Sequence, residues 1–365
     1  MSTLHVTSRA DFRQSQLVER ADTALSAGQI RLRVERFGLS ANNVTYAVLG
    51  NEFSFGPGDW GYFDFFPSGD EGQGVVPVWG IGEVSESQVE GIEPGQKFYG
   101  YFGFGDSQVL EPVGVNPRGF TDNSAHRREL PAAYQGYVAF PAAAQAQANM
   151  WAVWKPLHIT GWTVADQLAE TTQAGDGDGF QQLVLSSASS KTAIMSAFCI
   201  REMLPNAGLI GLTSAGHVGY VRSLGLYDDV LRYEEVDALA PQTSAYVDFA
   251  GNRELTAKVH DQLGDQLGLS LIVGMSHWTQ VRGPKPAVGP ELTGFFAPGR
   301  VAYRAKQWGP GELFGRIEAN WQRFLAASDG WTQIVEHQGL DTAQEVFAGL
   351  MKGQLDPSQS LVILP

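Results

Sequence analysis

The sequence contains a single cysteine among its 365 residues. One cysteine cannot form an intramolecular disulfide, and a structural zinc site built from several cysteines is excluded. Cys199 lies within a helical pattern of apolar residues, so we interpret it as a buried apolar side chain. Functions that need paired thiols are therefore ruled out.

Basic residues are also scarce. The chain has 25 Lys and Arg against 39 Asp and Glu, which gives a formal net charge of -14. Nucleic acids and anionic membranes are bound by basic surfaces, so we expect neither as a general partner. A local basic pocket for a phosphate is still compatible with this charge.

Long apolar runs and several catalytic motifs are missing as well. No run approaches the length that spans a bilayer, and the amino terminus has no apolar signal core, so we predict a cytoplasmic protein. The hydrolase motif G-x-S-x-G and the zinc motif H-E-x-x-H are absent. What is present is a hydrophobic fraction of 43%, typical of a folded globular protein, and enough length for two domains.

The clearest pattern is a strand–helix–strand unit. An apolar run at residues 183–185 is followed by a small-residue turn at 186–190, a helical pattern at 192–204 and a second apolar run at 209–212. Parallel strands need such a crossover, so the unit predicts a doubly wound α/β sheet. Ligands of such sheets bind at the carboxyl ends of the strands, where this turn and a second small polar turn at 213–216 lie.

Several stretches, taken in order, resemble the medium-chain dehydrogenase/reductase superfamily and especially its zinc-free, quinone-oxidoreductase-like branch. Residues 28–50 (GQIRLRVERFGLSANNVTYAVLG) resemble its opening strand and glycine turn, and residues 76–102 resemble the next block of its GroES-like barrel. Residues 155–172 resemble its interdomain segment, and residues 246–252 (YVDFAGN) a later nucleotide-domain strand. The chain is also similar to DUF2855, a family of uncharacterised bacterial proteins, which implies no activity.

The resemblance implies an α/β protein with a GroES-like β-barrel domain and a Rossmann domain, a doubly wound parallel sheet. Residues 1–155 would form the GroES-like catalytic domain, completed by about residues 290–365. Residues 156–289 would form the Rossmann nucleotide-binding domain. Family members are often dimers through the edge strand of the nucleotide domain, so a homodimer is an expectation.

This chain departs from the family's pattern at the glycine-rich turn that binds the cofactor. Its glycines fall on Ser187, Ser190 and Ala193. Serine and alanine are the next-smallest residues, so a dinucleotide can still approach the backbone closely. The helix that follows offers N–H groups and a positive dipole end to a phosphate. The candidate phosphate ligands are Ser187, Ser189, Ser190, Lys191 and Thr192.

The second turn favours NADPH over NADH. NAD-preferring relatives end the second strand in an acidic residue that binds the ribose hydroxyls, whereas Thr213 and Ser214 stand here. Arg222 follows on the next predicted helix. Hydroxyl side chains and a cation accept a 2′-phosphate, although Arg222 can equally be a solvated helix residue. The resemblance further implies that Gly251 and Gly274 end strands facing the adenosine and the nicotinamide ribose.

The chemistry implied by the resemblance is zinc-free hydride transfer. The barrel cysteines that hold the family's catalytic zinc do not exist here, so we predict no metal. In zinc-free members the protein orients the cofactor and donates a proton or hydrogen bond to the developing enolate. Tyr46, which follows Asn42 and Asn43, is the candidate donor. The alternative is that Tyr46 only packs in the barrel.

Two segments rich in glycine and aromatic residues carry open interpretations. Residues 51–74 form either a loop or a lid. The loop would be anchored to the barrel by its aromatic side chains, and the lid would cover an apolar or aromatic substrate. Residues 277–316 form either a surface loop or a cationic wall for an acidic substrate or a cofactor phosphate. The cations on which the second interpretation rests are Arg282, Lys285, Arg300, Arg304 and Lys306.

Local patterns give further expectations. Strands are expected within residues 2–28, together with a loop, and over residues 30–37. Helices are expected over 44–49, within 155–172 with Thr160 as the N-cap, and over 253–267, 312–325 and 341–352. The four prolines and the alanine run of residues 103–150 indicate irregular structure, and the basic cluster 126–130 indicates a solvated surface.

From these observations we predict an NADPH-dependent, zinc-independent reductase of an activated alkene or a quinone-like carbonyl, acting on an aromatic or an acidic small molecule. Two alternatives stay open. The altered glycines are compatible with a non-catalytic NADPH-binding sensor or structural protein. The fold is also compatible with a non-redox enzyme that has lost the dinucleotide, for example one that cleaves a carbon–carbon bond.

Overall fold

A computed structural model describes residues 1–53, 59–174, 179–274, 286–354 and 356–365. These residues divide into two compact units, one comprising residues 1–156 with 334–365 and the other residues 157–333. Arg282 and Lys285 lie outside the described residues. Within the described parts of the chain, no helix combines the length and the apolar character that crossing a bilayer requires.

The regular elements are numbered along the chain. The strands are β1 (Ser2–Ser8), β2 (Ser15–Arg20), β3 (Ile30–Leu39), β4 (Gln73–Gly74), β5 (Pro77–Ser87), β6 (Lys97–Gly103), β7 (Ser107–Leu110), β8 (Pro112–Asn116), β9 (Gly119–Asp122), β10 (Gly136–Ala139), β11 (Gln182–Leu185), β12 (Gly208–Thr213), β13 (Asp229–Arg232), β14 (Ser244–Asp248), β15 (Leu267–Ile272), β16 (Leu292–Gly294), β17 (Gln333–Gln338) and β18 (Gln359–Leu364). The helices are α1 (Ala41–Val48), α2 (Ala148–Ala174), α3 (Lys191–Met203), α4 (Val218–Ser223), α5 (Arg253–Leu263), α6 (Ala297–Trp308), α7 (Pro310–Ala327) and α8 (Leu340–Met351).

The first unit is built on antiparallel strands. One sheet has the order β17-β18-β3-β5-β6-β10-β9-β8, with β7 also pairing to β3, and a smaller sheet has the order β2-β1-β4. The long strands β3 and β5 pair antiparallel across most of their length. On β3, Leu32 is fully buried and Arg33 is exposed, as the sequence alternation predicted, but Arg31, which was expected on the same wet face, is only 5% exposed. The register of β3 against β5 shifts between Val34 and Arg36, so Phe37 is buried although it has the parity of the charged residues.

The second unit contains a parallel sheet with the order β13-β12-β11-β14-β15-β16. Numbered along this unit, that is the order 3-2-1-4-5-6 of the Rossmann fold. Its central strands β11 and β14 are buried at every residue, as expected for a parallel sheet covered on both faces. The predicted doubly wound sheet is therefore confirmed.

Close helix packing in the second unit depends on one glycine. A Cβ atom at Gly161 of α2 would lie 2.8 Å from the backbone of Met195 and Ser196 on α3. Backbone atoms at that distance cannot move aside without shifting a helix. Gly161 thus fixes the distance between α2 and α3, the helix that carries the first small-residue turn.

Three structural predictions were wrong. Helix α2 starts at Ala148 and accommodates Pro156 in its interior, so Thr160 is an internal residue and no N-cap. Residues 103–150 contain strands β7 to β10 instead of irregular structure. Arg127, in the basic cluster expected to be solvated, is fully buried. Arg127, for example, is buried by its ion pair with Asp122 and by the Phe66 ring under its guanidinium group, which a run of basic residues does not indicate.

His5 on β1 gives the first unit a dependence on pH. Its ring is fully buried and stacks on Phe104, with the ring centroids 4.3 Å apart. Burial lowers the pKa of His5 from 6.5 to about 4. Because the folded state prefers the neutral ring, its contribution to stability is complete above pH 6.5 and is lost as the pH falls towards 4.

We therefore expect the free energy of unfolding of a His5→Phe variant to fall less between pH 7 and pH 4 than that of the wild type. The difference should be about 3 kcal/mol, the value that corresponds to this change in pKa. Urea unfolding at pH 7, 5.5 and 4 measures it. Parallel pH profiles for the two proteins would show that His5 does not contribute.

Candidate functional site

The first small-residue turn lies at the carboxyl end of β11, beside β14, where the strand order of the sheet reverses. Ser190 caps α3, because its side chain accepts a hydrogen bond from the Ala193 amide at 3.3 Å. Lys191 and Thr192 are half-buried in the first turn of this helix. The exposed amides and the dipole of a helix start attract an anion, so the turn has the chemistry of a phosphate site.

Ser187 holds this turn in an unusual conformation. It has φ +50°, and among the described residues it is the one non-glycine residue with positive φ. This is the position where the resembled family has its first glycine. A hydrogen bond joins Ser187 to Tyr233, whose pKa burial raises to about 12. Backbone strain of this kind concentrates at functional sites.

The two predicted turns contact each other. The Thr213 hydroxyl at the end of β12 donates to the Ser189 hydroxyl at 3.5 Å. Ser189 also lies 3.0 Å from Nδ1 of His217, beyond the second turn, where Ser214 starts a short 3₁₀ segment. Sequence reasoning missed His217 and Tyr233, because neither belongs to a motif and both approach the first turn through strand pairing.

Asp248, at the end of β14, organises the backbone next to this turn. Its Oδ1 accepts from the Ser186 hydroxyl at 2.6 Å and from the amides of Ala250 and Gly251 at 2.9 and 3.1 Å. Its Oδ2 accepts from the Thr256 hydroxyl at 3.2 Å. Burial raises the pKa of Asp248 despite these bonds. One carboxylate thus joins the ends of the two central strands.

The two predicted strand-end glycines lie at this edge of the sheet. Gly251 has φ +74° and gives its amide to Asp248. A Cβ atom at Gly274 would lie 2.6 Å from the Phe249 carbonyl oxygen. Both positions therefore require glycine for a local reason, either the left-handed conformation or the close backbone approach.

An Asp248→Asn variant is expected to keep most of its stability, whereas Asp248→Ala should lose about 3 kcal/mol. The amide oxygen of Asn can accept the three bonds now made to Oδ1, and its NH₂ group can donate to Thr256. Alanine instead leaves buried donors unpaired. Urea unfolding of both variants tests this, and equal losses would contradict the assigned hydrogen bonds.

Arg222, the cation predicted to bind a 2′-phosphate, has charged neighbours that the sequence analysis did not identify. Arg222 is exposed and donates to the Val230 carbonyl at 3.2 Å. Arg232 lies opposite Thr213 in the parallel register of β12 and β13 and pairs with Glu235 at 2.6 Å. Arg232, with a smaller effect from Arg222, lowers the pKa of Glu235 to about 2. Two arginines and one carboxylate thus stand near the end of the second strand.

Tyr46, the candidate proton donor, lies in the first unit on α1. Ser40 and Asn43 form a capping box at the start of this helix, and Asn43 also donates to the Pro77 carbonyl. The cap fixes the helix so that Asn42 and Tyr46, four residues apart, share one face. The Tyr46 oxygen accepts from Asn42 Nδ2 at 2.8 Å and from Trp79 Nε1 at 3.1 Å.

Burial raises the pKa of Tyr46 to about 12, and its side chain is 5% exposed. The hydroxyl is therefore protonated at neutral pH. Aromatic rings surround it, with centroids 4.4 Å away for Tyr62 and 5.7 Å for Tyr101. Tyr62 in turn lies 3.2 Å from the Tyr134 hydroxyl. We call Tyr46, Tyr62, Trp79, Tyr99, Tyr101 and Tyr134 the tyrosine cluster.

The described part of segment 51–74 is anchored by its aromatic residues. Trp60, Phe63 and Phe65 are buried, and Cβ atoms at Gly50 or Gly74 would lie 2.3 Å from the Phe63 ring, which packs between the two backbones. The anchored-loop interpretation is confirmed for these residues. Because Tyr62 of the same segment contacts Tyr46, the segment also contributes a wall of the tyrosine cluster.

The two described arginines of the predicted cationic wall are neutralised. Arg300 lies 2.6 Å from Glu170, and Arg304 lies 2.8 Å from Asp166, with both guanidinium groups mostly buried. These two cations are matched by two carboxylates of α2, so they are not available to an acidic ligand. Lys306 is exposed on α6. The interpretation of Arg300 and Arg304 as substrate ligands is wrong.

Cys199 is buried, as predicted, and its thiol donates to Asn320 Oδ1 at 3.2 Å. His158 Nε2 lies 2.6 Å from the same oxygen. Burial raises the pKa of Cys199 well above its usual value. A protonated, inaccessible thiol is no nucleophile, so this Cys–His–Asn cluster serves packing. Among the described residues, no group of three or more His, Cys, Asp or Glu side chains has the arrangement of a metal site.

Comparison with known proteins gives one family and several structural neighbours. A family model described as "Protein of unknown function (DUF2855)" matches residues 37–356. No curated protein sequence matches the chain.

Three solved structures illustrate the fold. CurA from Vibrio vulnificus in complex with NADPH has 14% identity and a TM-score of 0.64, covering 99% of this chain and 98% of its own. The yhdH oxidoreductase from Salmonella enterica in complex with NADP has 14% identity and a TM-score of 0.53, covering all of both chains. The mitochondrial 2-enoyl thioester reductase Etr1p/Etr2p heterodimer from Candida tropicalis has 12% identity and a TM-score of 0.59, covering 100% and 99%. The predicted dehydrogenase/reductase fold is confirmed; identities this low show the fold alone.

Proposed function

The chain belongs to DUF2855, a protein family of unknown function, and from the fold and the environment of Tyr46 we propose that it is an NADPH-dependent, zinc-independent reductase. Its substrate is a small molecule with an activated alkene or a quinone-type carbonyl. The observation that carries the proposal is the environment of Tyr46, a protonated hydroxyl that accepts two N–H hydrogen bonds. A fold alone does not specify an activity, so the site has to support it.

The chain's residues fit a dinucleotide at the carboxyl edge of the parallel sheet. The first turn and the start of α3 offer amides and hydroxyls to the pyrophosphate, and the left-handed Ser187 lets the turn take the conformation that glycine usually provides. Structural neighbours bound to NADPH and NADP support this choice of cofactor. The residues that would hold it are Ser187, Ser189, Ser190, Lys191, Thr192, Thr213, Ser214, Arg222, Gly251 and Gly274.

Each unit has its own role in this proposal. Residues 157–333 bind the nucleotide, and residues 1–156 with 334–365 provide the catalytic side chains. When bound, NADPH supplies a hydride. A homodimer and a cytoplasmic location complete the proposal; the dimer rests on the resemblance.

Tyr46 would protonate the substrate oxygen. Its oxygen accepts from Asn42 and Trp79, so its O–H is the part of the hydroxyl that would donate to a substrate oxygen. The same two N–H groups stabilise negative charge on the phenol oxygen as the proton moves. A pKa of about 12 keeps the proton in place until a developing enolate or hydroquinone anion draws it away.

Nucleotide binding tests the proposal, with the fluorescence of the nine tryptophans as the signal. We expect NADPH to bind more tightly than NADH. Arg222→Ala and Lys191→Ala should each weaken NADPH binding about tenfold, the loss that corresponds to one charge-assisted phosphate contact. Arg222→Ala should leave NADH binding unchanged.

Arg128→Ala, at an exposed arginine of the first unit, is the matched control and should bind both nucleotides like the wild type. Absence of binding by either nucleotide at millimolar concentration would reject the reductase and leave the non-redox alternative. Tight NADPH binding without oxidation in any substrate screen would indicate the non-catalytic alternative.

A further inference from the structure

Ser187 has the left-handed backbone of a glycine without being one. Its φ is +50°, a region where the Cβ atom of an L-residue crowds the following carbonyl, whereas glycine adopts it freely. The residues on either side are fixed to neighbouring strands. The Ser186 amide donates to the Val247 carbonyl at 3.0 Å, and the Ala188 amide donates to the Leu212 carbonyl at 3.0 Å. The strained residue thus closes the turn between two fixed points.

Tyr233 is hydrogen-bonded to this strained residue. It follows β13, and its ring packs against the buried cluster that includes Val184 and Leu212. Its oxygen is bonded to both the side chain and the backbone of Ser187. Burial raises the pKa of Tyr233 to about 12, and the two bonds act in the opposite direction. A bond that lowers the pKa of a tyrosine is donated to its oxygen, so Ser187 donates both.

The bond from the backbone depends on the conformation of Ser187. The residue is 7% exposed, so its amide has little access to water as an alternative acceptor. A turn that relaxed to an ordinary backbone conformation would move this amide away from the Tyr233 oxygen. The bond therefore favours the left-handed conformation and offsets a strain that glycine would not have. Because the Ser187 carbonyl accepts from the Ser190 amide at 2.7 Å, the same conformation also sets the start of α3.

We propose that Tyr233 compensates for the missing glycine: it holds Ser187 in the left-handed conformation and thereby keeps the nucleotide turn in the form that binds NADPH. Tyr233 acts through Ser187, so it is a positioning residue. This inference rests on the proposed nucleotide site and names the residue that lets the site work without its first glycine. A nucleotide that binds only the left-handed turn loses affinity in proportion as that conformation becomes less populated.

A double-variant cycle tests the inference through nucleotide binding. NADPH affinity is measured by tryptophan fluorescence for Tyr233→Phe in the wild-type background and again in the Ser187→Gly background. We expect Tyr233→Phe to weaken binding about tenfold in the wild-type background, which corresponds to about 1.4 kcal/mol of lost hydrogen bonding. In the Ser187→Gly background the same change should weaken binding less than about twofold, because glycine adopts the left-handed conformation unaided.

Two further variants separate the backbone effect from the loss of a side-chain contact. In a Ser187→Ala background, Tyr233→Phe should still weaken NADPH binding at least about threefold, because alanine keeps the strain and the amide but lacks the hydroxyl. Tyr220→Phe is the matched control. The half-buried Tyr220 hydroxyl donates to the Trp331 carbonyl at 3.0 Å in the same unit, so its loss should leave NADPH affinity unchanged.

Thermal unfolding without nucleotide gives a second readout that needs no cofactor. Tyr233→Phe should lower the melting temperature in the wild-type background, because it leaves the strain of Ser187 without compensation. The decrease should be smaller in the Ser187→Gly background, where there is no strain to offset.

Three results would overturn the inference: NADPH affinity that Tyr233→Phe leaves unchanged, an equal loss of affinity in the wild-type and Ser187→Gly backgrounds, or an equal decrease of the melting temperature in both. The first is expected of a purely structural hydrogen bond, and the second of a direct contact between Tyr233 and the nucleotide. Failure of the reductase proposal has a different signature, a wild-type protein that binds neither nucleotide while the thermal cycle still shows the coupling.

Discussion

A Tyr46→Phe variant should reduce its substrate about 10²- to 10³-fold more slowly than the wild type, with the affinity for NADPH unchanged. The change removes one oxygen atom and leaves the ring in its packed position among Tyr62 and Tyr101. A positioned general acid contributes about 10²- to 10⁴-fold to a reaction, and phenylalanine has no proton to supply. Steady-state kinetics with NADPH measures the loss as a fall in kcat.

Tyr62→Phe is the matched control for this prediction. Tyr62 belongs to the same cluster and is equally buried, but its hydroxyl faces Tyr134. Its loss should change kcat by less than about tenfold, since it perturbs packing without removing the donor. Nearly wild-type turnover in Tyr46→Phe would show that Tyr46 only packs in the barrel. Because the pKa of Tyr46 is about 12, its deprotonation should not limit the rate below pH 11.

An Arg127→Met variant should lose about 3–5 kcal/mol of stability, the usual cost of removing one partner of a buried ion pair. Arg127 and Asp122 are both fully buried, with Nη1 of the arginine 2.9 Å from Oδ2 of the aspartate. The same guanidinium donates to the Tyr137 hydroxyl at 3.0 Å and to the Tyr134 carbonyl, and it lies over the Phe66 ring. Removing it leaves a carboxylate buried without its counter-charge.

The neighbouring residue and a double variant complete this experiment. Arg128 is exposed, so Arg128→Met should change the free energy of unfolding by less than about 0.5 kcal/mol. An Arg127→Met, Asp122→Leu double variant should recover part of the loss, because it removes both buried charges. Urea unfolding of the four proteins gives these values. A single variant as stable as the wild type would contradict the importance assigned to this pair.

The parallel-sheet core could be predicted because its information is local. A short apolar run, a small-residue turn and a helix-length pattern are consecutive in the chain. The observed ends of β11, α3 and β12 each lie within one residue of the expected ends. Strands of a buried parallel sheet carry this signal in their composition, independent of the rest of the fold.

Features that depend on distant contacts could not be predicted. From the sequence, Arg127 was interpreted as a surface cation, and only the structure shows that Asp122 and two tyrosines surround it. Thr160 was predicted to be a helix N-cap, yet it lies inside α2, which begins at Ala148. The helix over residues 297–308 was not expected either, because its two arginines form ion pairs with α2, more than 130 residues earlier in the chain.

The candidate site also combines features that the sequence predicted with features that only the structure shows. The two small-residue turns were predicted and do meet, through Ser189 and Thr213. Tyr233 and His217 reach the first turn by the pairing of strands, which no short motif encodes. The hydrogen bond that Ser186 donates to Asp248 links residues 62 positions apart.

A single-turnover experiment tests the central claim most directly. The protein, in excess over NADPH, is mixed rapidly and without oxygen with duroquinone (a quinone) or isophorone (a methylated enone), and the absorbance of the reduced nicotinamide is followed. The account predicts that the absorbance falls in the wild type with at least one of these acceptors, and about 10²-fold more slowly in Tyr46→Phe. Bound NADPH that is never oxidised, or oxidation at equal rates in both proteins, would contradict it.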